Sequence, residues 1–273
     1  MTHDDLPSKV RDWLQQEGYP FEMRVAQAFA KAGFRIQQSD YYDDPQTGVP
    51  REVDVVARIQ SSVKSDLIFR VLFLVECKSS LDRPWLLFCS TKQGDLANPG
   101  RVAQRISSNA GAHVLFGLSH DKDVQNLALF RLRAPIGYGL KQSFAKDKKE
   151  KDIAYAAMCS VGNAAKAGAM QWIKHPHEPR IVELIFPVIA IDGRLFRCWL
   201  DEANVLSVGE VASGTLLWRN AFGHLGHTII DIQTTSSLEE FAAESYESAF
   251  TLVTNYYETA RGILAERSKR LPL

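Results

Sequence analysis

The chain has 273 residues, 45% of them hydrophobic, and 32 basic residues balance 32 acidic ones. That is enough apolar material for one large core. The balanced charge excludes a molecule-wide field that attracts polyanions, so a nucleic-acid contact has to come from a local basic patch.

The opening residues Met1-Thr2-His3-Asp4-Asp5 lack the basic-then-apolar layout of a signal peptide. No run reaches the roughly 18 apolar residues that mark a membrane span. Cys77, Cys89, Cys159 and Cys198 form no CxxC pair. Reduced, buried thiols follow, and zinc does not. The expectation is a soluble cytoplasmic protein with no membrane partner, folded as a single domain over 1–273.

Residues 20–32 read as a helix, with Pro20 in its first turn, Gly33 after its end, and an apolar stripe of Phe21, Val25, Ala28, Phe29 and Ala32. A short strand follows over 34–38, then a turn-rich loop over 41–48. Residues 52–60 and 68–78 are expected strands. The stretch from about 79 to 151 reads as an elaboration after the third strand. Within it, 85–89 is a short apolar run, 101–112 is expected to be helical and 126–133 strand-like. An alanine-rich helix is expected over 153–172. A hairpin over 180–200 turns at Asp192-Gly193, and a further strand covers 228–233. Ser237, with Glu240 three residues on, opens a long C-terminal helix through a capping box.

The chemistry concentrates in Val71-Leu72-Phe73-Leu74-Val75-Glu76-Cys77-Lys78, read with Arg51-Glu52-Val53-Asp54-Val55-Val56-Ala57. A strand this apolar is a buried central strand. Burying charge at its end is costly unless the charges are paired or hold a metal. Glu76 and Lys78 are two residues apart and project from one strand face. Asp54 ends the alternation of the neighbouring strand. Two carboxylates and a lysine at a sheet edge form a hard-cation site with a basic group beside it. Mg²⁺ held by Asp54, Glu76 and the Cys77 backbone carbonyl suits phosphodiester hydrolysis, with Mn²⁺ able to substitute. Lys78 is placed to act on the attacking water or on developing negative charge. Glu22, one residue off the helical stripe, reaches the same site directly or through water.

This pattern resembles the PD-(D/E)XK superfamily of restriction-endonuclease-like nucleases. The resemblance lies in a helical glutamate (Glu22), a strand aspartate (Asp54) and Glu76-Cys77-Lys78 at the end of the next strand. Val53 departs from it, standing where the family's name has proline. The likeness implies an α/β fold: a mixed central sheet flanked by helices in αβββαβ order, with the elaboration and the long C-terminal helix added. It implies Mg²⁺-dependent endonuclease activity, with DNA the expected substrate, in restriction, phage defence or repair. Two alternatives stand beside it. One is a catalytically inactive nucleic-acid-binding or assembly module. The other is a nuclease subunit that needs a partner, or a second copy, for targeting. Lys146, Lys148 and Lys149 are candidates for phosphate contact, although Asp147, Glu150 and Asp152 interleave with them, as in a solvated loop.

Overall fold

The computed structural model describes residues 5–45, 47–61, 67–80, 82–90, 98–144, 152–171, 180–219 and 227–270. Two helices open the chain, α1 (Leu6–Glu17) and α2 (Tyr19–Ala32). Gly18 joins them at φ 86°, a left-handed conformation that favours glycine. Gly33 ends α2 the same way at φ 115°, as its place after the apolar stripe predicts.

Three strands then form an antiparallel meander: β1 (Arg35–Asp43), β2 (Pro50–Gln60) and β3 (Leu67–Ser79). β3 is central. It pairs on its other side, in parallel, with β7 (Arg180–Asp192), from Leu67 opposite Arg180 to Ser79 opposite Asp192. Its alternate residues enter two different cores, which is why it reads as a continuous apolar run. Phe69, Val71, Phe73, Val75 and Cys77 face one core, while Leu72 and Leu74 face the other.

The segment set aside as an elaboration supplies three strands of this sheet: β4 (Trp85–Cys89), β5 (Ile106–Ser107) and β6 (Ile136–Gln142). It also supplies the helices α3 (Asn98–Ala103), α4 (Asn109–Leu118) and α5 (Lys122–Asn126). After α6 (Ile153–Gln171) and β7 come β8 (Leu195–Leu200), β9 (Leu206–Val211), β10 (Ser213–Trp218) and β11 (Thr228–Thr234). The described strands form one mixed sheet in the order β1-β2-β3-β7-β11-β10-β6-β4-β8-β9, with β5 paired to β7.

Helices cover both faces. α2, α4, α7 (Leu238–Asn255) and α8 (Tyr257–Arg270) pack on one, around Phe29, Phe34, Phe73, Phe186 and Phe241. On the other, Ala154, Ala157, Val161 and Ala165 set α6 against the sheet. Gly111 permits the close approach of α4, since a Cβ there would lie 2.7 Å from the Glu183 carbonyl oxygen. Among the described residues no helix is long and apolar enough to cross a membrane.

Five local expectations are corrected. Residues 101–112 are not one helix: Ile106–Ser107 pairs with β7, and Ser108 starts a new helix by accepting the Gly111 N–H. Residues 126–133 hold no strand. Ala128–Phe130 is a buried 3₁₀ turn, and a short apolar run does not distinguish these states by period. β1 runs on through Tyr41–Asp43, where a turn-rich loop is expected, because those residues pair with Pro50–Glu52. β7 and β8 form no hairpin. β3 and β11 flank β7, and β8 pairs with β4 and β9 instead. The Ser237 capping box does not form, because that hydroxyl turns back to donate among the Ala212 carbonyl, the Gln233 amide oxygen and the Thr234 carbonyl, which surround it at 2.8–3.2 Å.

Candidate active site

Asp54, Glu76, Lys78 and Glu22 come together at one end of the sheet, from β2, β3 and the first turn of α2. The β2–β3 register ends with Val55 opposite Val75, next to Asp54 on one strand and Glu76 on the other. Asp54 Oδ2 accepts the Cys77 backbone N–H at 2.6 Å, which fixes the carboxylate across the strand gap.

The position of Asp54 depends on a bend. Val53 and Val56 are three residues apart yet both enter the α6-side core, while Val55 and Ala57 enter the opposite one. Regular alternation forbids this. The interruption falls at Asp54. In β1 the facing residue is Ser39, between Gln38 opposite Val55 and Asp40 opposite Val53, and it has φ 51°.

Glu76 is 7% exposed, and both of its oxygens are engaged. Lys78 Nζ donates to Oε1 at 2.5 Å, and the Ser160 hydroxyl donates to Oε2 at 2.7 Å. The Lys78 ammonium also donates to the Cys77 carbonyl at 3.1 Å. The lysine head therefore bridges two oxygens that sequence reasoning gives to a cation. Tyr42 adds a further layer, its hydroxyl donating to the Ser160 carbonyl at 3.2 Å. Above the site, Arg24 on α2 binds Asp192 at the end of β7 at 2.7 Å and ties the helix carrying Glu22 to the sheet.

The charges do not balance locally, with three carboxylates meeting one ammonium. Burial, and then the Asp54 charge, push the Glu22 carboxyl up to about 7. Burial and Glu76 push Asp54 up to about 6, against the Cys77 N–H and Lys78. Burial pulls the Lys78 ammonium down, but Glu76 and Asp54 outweigh it and leave it above its ordinary range. Burial likewise holds the Cys77 thiol well up, so this sulfur is an inert core group.

No family model, curated protein or solved structure matches this chain.

The structure brings Glu22, Asp54, Glu76, Lys78 and the Cys77 carbonyl into one place. Lys146, Lys148 and Lys149 lie outside the described residues. Ser160 and Tyr42 are the site residues that sequence reasoning missed. Their contacts span 84 and 118 residues of chain, and a lone serine in an alanine-rich helix carries no signal of its own. Among the described residues, no three His, Cys, Asp or Glu side chains by themselves form a group able to hold a metal ion.

Proposed function

We propose that this chain is a Mg²⁺-dependent endonuclease with a restriction-endonuclease-like core, acting on nucleic-acid phosphodiesters, DNA first among them. The observation that carries the reading is the meeting of Glu22, Asp54, Glu76 and Lys78 at one sheet end with an excess of negative charge. The order α2, β1-β2-β3 meander, α6, then β7 parallel to β3 supports it as the αβββαβ core.

The donor set suits a hard divalent cation. Mg²⁺ keeps several waters and takes one or two carboxylates from protein. Asp54 and Glu76 would hold it, with the Cys77 carbonyl beside them, and a third acidic side chain is not required. The raised carboxyls of Glu22 and Asp54 are what an excess of buried negative charge produces, and a cation relieves it. When bound, the ion acidifies a water and offsets charge on the phosphate.

The protein's own groups do the rest. Lys78 supplies a fixed positive charge that can turn from Glu76 toward a phosphate oxygen or the attacking water. Ser160 fixes the rotamer of Glu76 through Oε2. Glu22, with a carboxyl titrating near neutrality, is suited to take or give a proton at a water.

The test is incubation with supercoiled plasmid, linear duplex, single-stranded DNA and RNA, each with Mg²⁺, Ca²⁺ or EDTA. Cleavage of at least one substrate with Mg²⁺, little with Ca²⁺ and none with EDTA is expected. Cleavage that survives chelation rules out the metal-dependent reading.

A further inference from the structure

The described sheet ends in β1 on one side and β9 on the other, and the two edges differ. An edge strand offers unpaired N–H and C=O groups to any other strand, so proteins usually guard it. β1 is guarded. Arg35, Asp40 and Asp43 put charge along it, and Ser39 at φ 51° interrupts its line. β9 reads Leu206-Ser207-Val208-Gly209-Glu210-Val211 and has no such guard. It holds no proline, lysine or arginine. Its six pairs with β8 run from Leu206 opposite Leu200 to Val211 opposite Leu195 without a bulge. Its one charge is already answered, because Arg194 donates to both Glu210 oxygens, at 2.9 and 2.6 Å.

The register says which backbone groups point outward. Val205 accepts the Asp201 N–H at 3.0 Å across the β8–β9 turn, so its backbone faces β8. Antiparallel pairs alternate, so Ser207, Gly209 and Val211 also face β8, while Leu206, Val208 and Glu210 turn their N–H and C=O outward. Among the described residues no strand pairs with that edge. The side chains beside it are apolar and open. Leu206 is 67% exposed and Val208 56%, on one face, and Leu200, opposite Leu206, is 49% exposed.

Outward backbone groups next to apolar side chains are met together by another strand. Asp201 and Glu202 in the adjoining turn put negative charge beside the patch, which turns away a polyanion or an anionic membrane. Pairing with β1 of another copy would run head to tail and leave open edges for further growth. The charges and the interruption of β1 work against it. Pairing with β9 of a second copy closes at two chains, and β9 matches itself. With the two-fold between the Ser207 residues, Leu206 lies opposite Val208 of the second copy, and Val208 opposite its Leu206. Each such pair exchanges two backbone hydrogen bonds and sets apolar side chains together. Glu210 falls opposite Asn204, so no like charges meet. A two-fold at Val208 would instead set Leu206 against the Glu210 carboxylate.

We propose that β9 is the seam of a homodimer, in which two copies pair antiparallel about Ser207 and continue the sheet. The seam is independent of the nuclease reading, because β9 gives no residue to the carboxylate–lysine centre. It is short for an interface, so dissociation in the micromolar range is expected.

The test is sedimentation velocity of the full chain, freed of nucleic acid, over a concentration series. Wild type is expected to pass from monomer to dimer. Val208→Lys sets a charge among the apolar pairs on both sides of the two-fold and should weaken the dimer at least tenfold. Val208 is exposed in one copy alone, so the variant should melt with wild type at low concentration. Ser207→Cys gives a second readout. Ser207 would face itself in a pair without hydrogen bonds, with Cα atoms about 4.5 Å apart, within reach of a disulfide. Oxygen with a copper catalyst should link Ser207→Cys into a covalent dimer, and much faster than Phe116→Cys, a control 71% exposed on α4. Wild type, with Cys77, Cys89 and Cys198 buried and Cys159 half-buried, should not link. A wild type that stays monomeric at every concentration overturns the proposal. So does a dimer undisturbed by Val208→Lys, or linking of Phe116→Cys as fast as of Ser207→Cys.

Discussion

Glu76 is almost fully buried and keeps two partners, and its neighbours' behaviour follows from that. From sequence alone Lys78→Ala removes only a catalytic charge. The geometry adds a cost, because the variant leaves a buried carboxylate held by Ser160 alone. We expect loss of cleavage together with about 1–2 kcal/mol of lost stability, below the full penalty of a buried pair because the lysine is partly exposed. Denaturant unfolding beside an activity assay separates the two effects. Ser160→Ala should fold normally and cut roughly tenfold more slowly, a hydrogen bond to charge being worth about 1.5 kcal/mol or more. An unchanged rate would remove Ser160 from the site. Asp54→Asn retains an oxygen for the Cys77 N–H and deletes a repelling charge, so without metal it should melt higher, by about 1 kcal/mol of stability. Mg²⁺ should raise the wild-type melt and do much less for the variant. Asp54, Glu76 and Lys78 were legible in the sequence because charge at the end of an apolar strand is expensive. Glu22 carried a weaker signal, its place one residue off the helical stripe, since a helical glutamate is ordinarily solvated. Ser160 and Tyr42 were not legible at all, because only the packing of α6 on the sheet brings them in.

At the scale of elements, the strands of the meander and the helices around them were readable wherever hydrophobic period and end signals agreed, as in α2, β2, β3 and α6. The bend that presents Asp54 was not. It shows only as Val53 and Val56 sharing a core and as Ser39 at φ 51° across the pair. A β-branched residue is strongly disfavoured at positive φ. Ser39→Val should therefore straighten β1, cost about 1–3 kcal/mol and reduce cleavage, while Ser39→Gly should be neutral or stabilising. Thermal melts of the two variants decide it, and equal stability would mean that the bend has another cause. The long C-terminal helix was half legible. Of its expected apolar positions, Phe241, Val253, Tyr257 and Leu264 are buried while Phe250 is 49% exposed; the helix divides at Tyr256, and the Tyr257 hydroxyl donates to the Leu67 carbonyl of β3. Such a tie, across 190 residues, leaves no local trace in the sequence.

Over the whole molecule, strand order was the least readable property. Nothing in 85–89 or 195–200 announces that β4 and β8 lie side by side, because pairing between distant strands is set by which edges remain open. The collected charge has a measurable global consequence. Glu22 near 7 and Asp54 near 6 hold protons that the unfolded chain releases near 4.5 and 3.8. Metal-free stability should therefore fall as pH rises from about 4 to about 7 and level off above it. With solvent screening at Glu22 allowed for, Asp54 dominates and the loss is on the order of 3 kcal/mol. Urea unfolding at pH 5 and pH 8 in EDTA measures it. Mg²⁺ at pH 8 should restore the loss, and Glu22→Gln or Asp54→Asn should flatten the dependence. The central claim is tested most directly by a time course of supercoiled plasmid with Mg²⁺, using wild type and Lys78→Ala at matched folded concentration. Nicked or linear product from wild type, none with EDTA and none from Lys78→Ala is the result the account predicts. Equal cleavage by both proteins would contradict it.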